Sequence, residues 1–66
     1  METINLNSSS ISSASFENGV MTLTFRGGRR YTYNVSESVF RGLVTADSAG
    51  RFFSNNVRSQ FTGTRV

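Results

Sequence analysis

Asn18-Gly19 constrains this chain more than any other pair of residues. Both tolerate positive φ, which a two-residue type I′ hairpin turn requires. Such a turn sets Phe16 opposite Met21, Ala14 opposite Leu23 and Ser12 opposite Phe25. Facing residues share a side of a sheet, so Phe16 and Ala14 join the Met21, Leu23 and Phe25 face. A slip of one residue would mix apolar and polar positions. The stretch from Asn18 to Val35 then reads strand, turn, strand, with Gly27-Gly28 at the second turn.

A two-residue Gly27-Gly28 turn would set Leu23 against Thr32 and Phe25 against Arg30, mixing the faces. An odd loop around Gly27 to Arg29, of three or five residues or with a bulge, instead sets Phe25 against Tyr31, Leu23 against Tyr33 and Met21 against Val35. The opposite face then carries Thr22, Thr24, Arg26, Arg30, Thr32 and Asn34. β-Branched threonines suit a pleated surface.

After Val35 the apolar period changes to that of a helix. Ser36 is placed to cap and Glu37 to meet the positive end of the dipole. Val39, Phe40, Leu43, Val44 and Ala46 fill one arc of a helix over residues 37–46. Gly42 inside it costs roughly 1 kcal/mol against alanine unless close packing needs it. Asp47-Ser48 offers a second cap, and Ala49 to Gln60 a second helix whose buried stripe is Ala49, Phe53, Val57 and Phe61. Phe52 belongs to neither stripe and is assigned to contact with the first helix. Residues 62–66 read as loop. Ile4 and Leu6 alternate with polar neighbours, so residues 1–9 form a loose arm or an extra short strand. The expected fold is α+β: one domain over residues 1–66, a three-stranded antiparallel β-meander followed by two α-helices packed on one face. Its expected core is Phe16, Leu23, Phe25, Tyr31, Tyr33, Leu43, Phe53 and Val57.

At 66 residues, with neither cysteine nor histidine, the chain has no disulfide, thiolate or imidazole staple. A domain this small is marginal alone, which raises the expectation of a homo-oligomer. No apolar run approaches the roughly 20 residues of a membrane span. The first residues lack the basic segment of a secretory signal, and a cytoplasmic location is expected.

Catalysis is hard to build without histidine, cysteine or lysine. The four carboxylates, Glu2, Glu17, Glu37 and Asp47, sit at the terminus, a turn and two helix starts. No enzyme, cofactor or metal site is expected. Charge points elsewhere: the net is +3 and all seven cations are arginine, whose planar fork grips phosphate and stacks on flat rings. Arg26, Arg29 and Arg30 crowd one hairpin end. Arg51, Asn55 and Arg58 line the outer side of the second helix. Both groups are candidate phosphate sites, with the Gly27-Gly28 backbone amides beside the first. Alternatively these arginines form a solvated face that protects a strand edge, or pair with Asp47 or Glu37. Tyr31 and Tyr33 are the residue type that stacks bases, but their register assigns them to the core.

Phe16, the pair Leu23 and Phe25, the Gly pair, Tyr31-x-Tyr33, Val35, Phe40, Ser48-x-Gly50, Phe52-Phe53, Val57 and Arg58 succeed one another in an order that resembles the KTSC domain. The resemblance spans Ile11 to about Arg65. Ser36 stands where the family often has proline, and Ser54 where it often has asparagine. Members occur alone in bacterial and phage proteins and at the C-terminus of some lysyl-tRNA synthetases. The resemblance therefore implies RNA as a partner, and it tilts Arg51 and Arg58 towards function.

The leading expectation is a non-enzymatic binding module for a phosphate-bearing ligand, RNA first. Arginine would supply the field and Thr22, Thr24, Thr32 and Asn34 a polar lining. A small oligomeric protein that sequesters a nucleotide is a second reading. A protein-interaction or assembly module working through a strand edge is a third.

Overall fold

A computed structural model of the chain describes residues 2–66. One antiparallel sheet runs in sequence order through β1 (Glu2–Asn5), β2 (Ile11–Glu17), β3 (Val20–Phe25), β4 (Arg30–Asn34) and β5 (Thr64–Arg65). Between β4 and β5 the chain leaves the sheet for α1 (Glu37–Thr45) and α2 (Ala49–Phe52), and α2 continues into a π-helical turn, Phe53–Val57. The class is α+β as expected, but the sheet has five strands rather than three. The N-terminal arm is one of the additions: β1 pairs with β2 and sets Ile4 beside Ala14 on the core side. The tail is the other, because Thr64 pairs with Thr32 and Arg65 with Tyr31.

The first hairpin turns as Asn18-Gly19 requires, with φ of 53° and 79°. Phe16 faces Met21 and Ala14 faces Leu23. The expected pairing of Ser12 with Phe25 fails, because the register shifts between Ile11 and Ser13 and Ile11 faces Phe25. A bulged residue reverses which side its neighbours take. Without the bulge Ile11 would point to the polar face; with it, Ile11 is fully buried.

The second hairpin keeps the expected odd loop but starts it one residue early. The Phe25 N–H donates to the Arg29 carbonyl at 2.8 Å, and the Gly28 N–H to the Phe25 carbonyl at 3.0 Å. Arg26, Gly27 and Gly28 are the loop, with φ of 101° at Gly27 and 92° at Gly28. Leu23 consequently faces Tyr31 and Met21 faces Tyr33, a register two residues from the expected one. The earlier loop puts both glycines at positive φ; a loop over residues 27–29 would end on Arg29, for which left-handed backbone costs about 1–2 kcal/mol. A shift of two preserves the faces.

The core lies between this apolar face and the helices. Ile11, Met21, Leu23, Leu43 and Val57 are its largest fully buried side chains, each contributing about 1.5–3 kcal/mol of burial. Tyr33 is also buried, whereas Phe16, Phe25, Tyr31 and Phe53 are half-buried. Phe16 stacks on Phe40 at 5.3 Å and ties β2 to α1. A Cβ on Gly42 would lie 2.8 Å from the Phe52 ring, so the expected contact between Phe52 and α1 explains a glycine inside a helix.

Capping departs from expectation at one helix. Ser36 is the N-cap of α1, but its side chain makes no capping bond; its Oγ lies 2.9 Å from Ser38 Oγ. Ser48 does cap α2, accepting from the Arg51 N–H at 3.3 Å. The second helix ends short of Gln60 and is not α-helical throughout. The Arg58 N–H donates to the Phe53 carbonyl at 2.8 Å, five residues back. Among the described residues, no helix is long and apolar enough to cross a membrane.

Candidate functional site

Two turns and the π-helical segment meet at the far end of the β3–β4 hairpin. Phe25 closes β3 on the core side, and Tyr31 and Tyr33 continue that side along β4. Their rings form an edge-to-face chain with Phe53. Tyr31 meets Phe25 at 5.8 Å and 80°, Phe25 meets Phe53 at 5.4 Å and 71°, and Phe53 meets Tyr33 at 5.6 Å and 75°. Such ring pairs add about 0.5–1.5 kcal/mol beyond burial. Phe25, Tyr31 and Phe53 stay half-buried, and the chain of rings is one wall of an open cleft of about 430 Å³. Arg26, Arg29, Arg58 and Ser10 complete its lining.

Each arginine reaches the rim for a local reason. Arg26 and Arg29 flank the two glycines of the loop. Arg26 is held there: its N–H donates to the Ser10 carbonyl at 2.9 Å and its Nε to the Ser8 carbonyl at 3.0 Å. Ser8 in turn stiffens that loop by accepting from the N–H groups of Ser10 and Ile11. Arg58 comes directly after the π-helical turn. An α-helix would return residue 58 almost over residue 51 after two turns, but a wider turn rotates the residues beyond it. Arg58 therefore leaves the outer stripe and enters the cleft.

No carboxylate among the described residues pairs with Arg26, Arg29 or Arg58; the ion pair described is Arg41 with Glu37 at 3.0 Å, on α1. Three guanidinium groups without a carboxylate partner among the described residues thus share one opening. Tyr33 carries the electrostatic trace of the place. Burial raises its hydroxyl pKa above the usual 10.0, the neighbouring Tyr31 adds to the rise, and Arg58 opposes it.

The other expected residues lie apart. Arg30 turns to the opposite face of the sheet, where it lines a second depression with Thr3, Ser13, Ser15, Thr22 and Thr24. That face carries a row of hydroxyls across all five strands: Thr3, Ser15, Thr22, Thr32 and Thr64 in successive pairs. Asn34 is exposed at the far end of β4. Arg51 lies beside Asp47 and Ser48, and Asn55 shares one of its grooves; neither lines the cleft. The expected trio of Arg51, Asn55 and Arg58 is thus divided, and so is that of Arg26, Arg29 and Arg30. Arg26 is not on the threonine face. Of the two glycine amides expected to meet an anion, that of Gly28 is taken by the Phe25 carbonyl. Sequence reading missed Ser10 and the cleft-facing role of Phe25, Tyr31, Tyr33 and Phe53. The run Phe25-Arg26-Gly27-Gly28-Arg29-Arg30-Tyr31, with aromatics on both sides of the arginines, was the available signal.

The KTSC domain model matches residues 7–61. That span holds every lining residue of the cleft. No curated protein matches the chain. The crystal structure of a KTSC domain protein from Yersinia pestis is similar, with a TM-score of 0.90 and 26% identity over 98% of this chain and 96% of that one. Resemblance in motif order, match to the family model and likeness of fold agree, and the chain belongs to the KTSC domain family.

Proposed function

We propose that this chain is a non-enzymatic binding module for a phosphate-bearing ligand, with RNA as the leading one, and that the hairpin-end cleft is its site. The observation that carries this reading is the convergence of Arg26, Arg29 and Arg58 on one opening without a carboxylate partner among the described residues. Like charges repel, so a cluster of this kind is more favourable with an anion between its members. Arginine forks suit phosphate oxygens in pairs. Arg26, already fixed through Nε, presents its terminal nitrogens at a lower ordering cost. Arg30, Arg51 and Asn55 are left out of the site. The reading places the protein in the cytoplasm, bacterial or, for a phage-encoded copy, that of the host.

Salt dependence tests it. One phosphate held among the three arginines on a single strand gives a slope of log K against log salt of about −0.7, or a loss of roughly threefold between about 50 and 200 mM. Affinity for an RNA oligomer that does not change with salt would contradict the proposal and favour a protein-interaction module.

A further inference from the structure

The proposed anion site explains the arginines but not the wall they surround. Phosphate needs charge and donors; it gains nothing from aromatic rings. Yet Phe25, Tyr31 and Phe53 are only half-buried, and all three line the opening together. The rings meet edge to face, so the wall offers a base the face of one ring at a time; aromatic surface left open beside guanidinium groups matches a ligand that is flat at one end and anionic at the other. A nucleotide has that form. Its base offers a π-face to a ring, and its phosphate lies one sugar away, within reach of an arginine rim. We infer, resting on the binding reading above, that the cleft takes one unpaired nucleotide, with the base against the Phe25, Tyr31 and Phe53 wall and the phosphate among Arg26, Arg29 and Arg58.

Size and shape bear on how much of a strand enters. Sites for small ligands run from about 300 to 1,000 Å³, and this one holds about 430 Å³. That suits a single nucleotide rather than a stacked run. A base inside a duplex has both faces covered by its neighbours and cannot meet the wall, so the cleft discriminates against paired strands. The shared chemistry is a nucleotide with a free base face, either one residue of a single strand or a free mononucleotide.

The chain supplies its own reporter. It has two tyrosines and no tryptophan, and both tyrosines line this cleft. Tyrosine emission of the whole protein is titrated with three probes: a single-stranded RNA hexamer, the blunt duplex of the same length, and adenosine monophosphate. The readings are corrected for absorption by the bases. The expected result is saturable quenching by the hexamer, with the duplex at least tenfold weaker. Quenching by the mononucleotide at matching affinity also supports the slot and makes the free nucleotide its ligand, which removes RNA from the proposed function. Equal affinity for hexamer and duplex, or hexamer binding with unchanged emission, overturns the slot and leaves the anion site standing. No binding of any probe at low salt overturns both. Tyr31→Ala should weaken hexamer binding roughly tenfold, while Tyr31→Phe, which keeps the ring, should bind as the parent does. Equal loss in both variants would contradict stacking.

Discussion

The two faces of the sheet both end in basic surfaces, and the surfaces differ in kind. On the helix side lies the cleft of Arg26, Arg29 and Arg58 over aromatic rings. On the other side, Arg30 edges a field of serine and threonine hydroxyls. Both are open and both are basic. In the cleft, however, three cations from two distant parts of the chain converge on one opening walled by rings. On the hydroxyl face one cation lies among small side chains. Composition alone makes a charged surface; a loop, a bulge and a widened helical turn make a site.

The largest expected effect separates the two surfaces directly. Arg29→Gln together with Arg58→Gln should weaken RNA binding about 100-fold, taking roughly 1.4 kcal/mol for each fork. Arg30→Gln, which removes the same kind of charge from the other face, should stay within about threefold. Fluorescence anisotropy with a labelled oligomer measures both. Similar losses in the two would mean that overall charge, not the cleft, holds the ligand.

A second contrast concerns stability. A Cβ at Gly63 would lie 2.6 Å from the Tyr33 ring, so Gly63→Val must push apart the tail and the inner end of the cleft. Overpacking of this kind costs about 1–3 kcal/mol, or a fall of several degrees in Tm for a domain of about this size. Thr22→Val on the hydroxyl face fills no tight space and should change stability by less than about 0.5 kcal/mol. A Tm fall from Thr22→Val as large as that from Gly63→Val would contradict this difference in packing between the two positions.

The smallest effect is a pH limb. The Tyr33 pKa is raised in the folded chain, mainly by burial. The folded state therefore holds its proton where the unfolded state has lost it. The resulting stability is fully present below the unfolded value of 10.0 and is lost as pH rises through the folded pKa. Denaturant midpoints should fall above pH 10, and Tyr33→Phe should flatten that limb. An equally steep limb in the variant would place the titration elsewhere.

How far these surfaces were legible in the sequence depended on how local their causes are. Asn18-Gly19 sets its hairpin by itself, and the side of the sheet taken by Tyr31 and Tyr33 came from the parity of the second loop. The exact loop did not, because Arg26–Gly28 and Gly27–Arg29 give the same faces, and only the backbone conformation of the third loop residue separates them. Thr64 and Arg65 carry no apolar alternation; they become a strand by pairing with β4, more than thirty residues away in sequence. The bulge at Ser12 likewise has no residue signature, and Ile11 shows its consequence. For the site, the arginines were legible as a class but not as a group. Helical spacing puts Arg51 and Arg58 on one line, and no residue announces the π-helical turn that parts them. Tyr31 and Phe25 were legible as inward-facing. That they stay half-buried and line an open cleft follows from packing in three dimensions, which their spacing in the chain does not show.

Amide correlation spectra, recorded while a single-stranded RNA oligomer is titrated into the ¹⁵N-labelled chain, map the RNA's footprint residue by residue. Saturable shifts are expected, confined to Ser10, Phe25 to Arg29, Tyr31 and the neighbourhood of Phe53 and Arg58. Shifts centred instead on Ser13, Ser15, Thr22 and Thr32, or on Arg51 and Asn55, would contradict the cleft as the binding site.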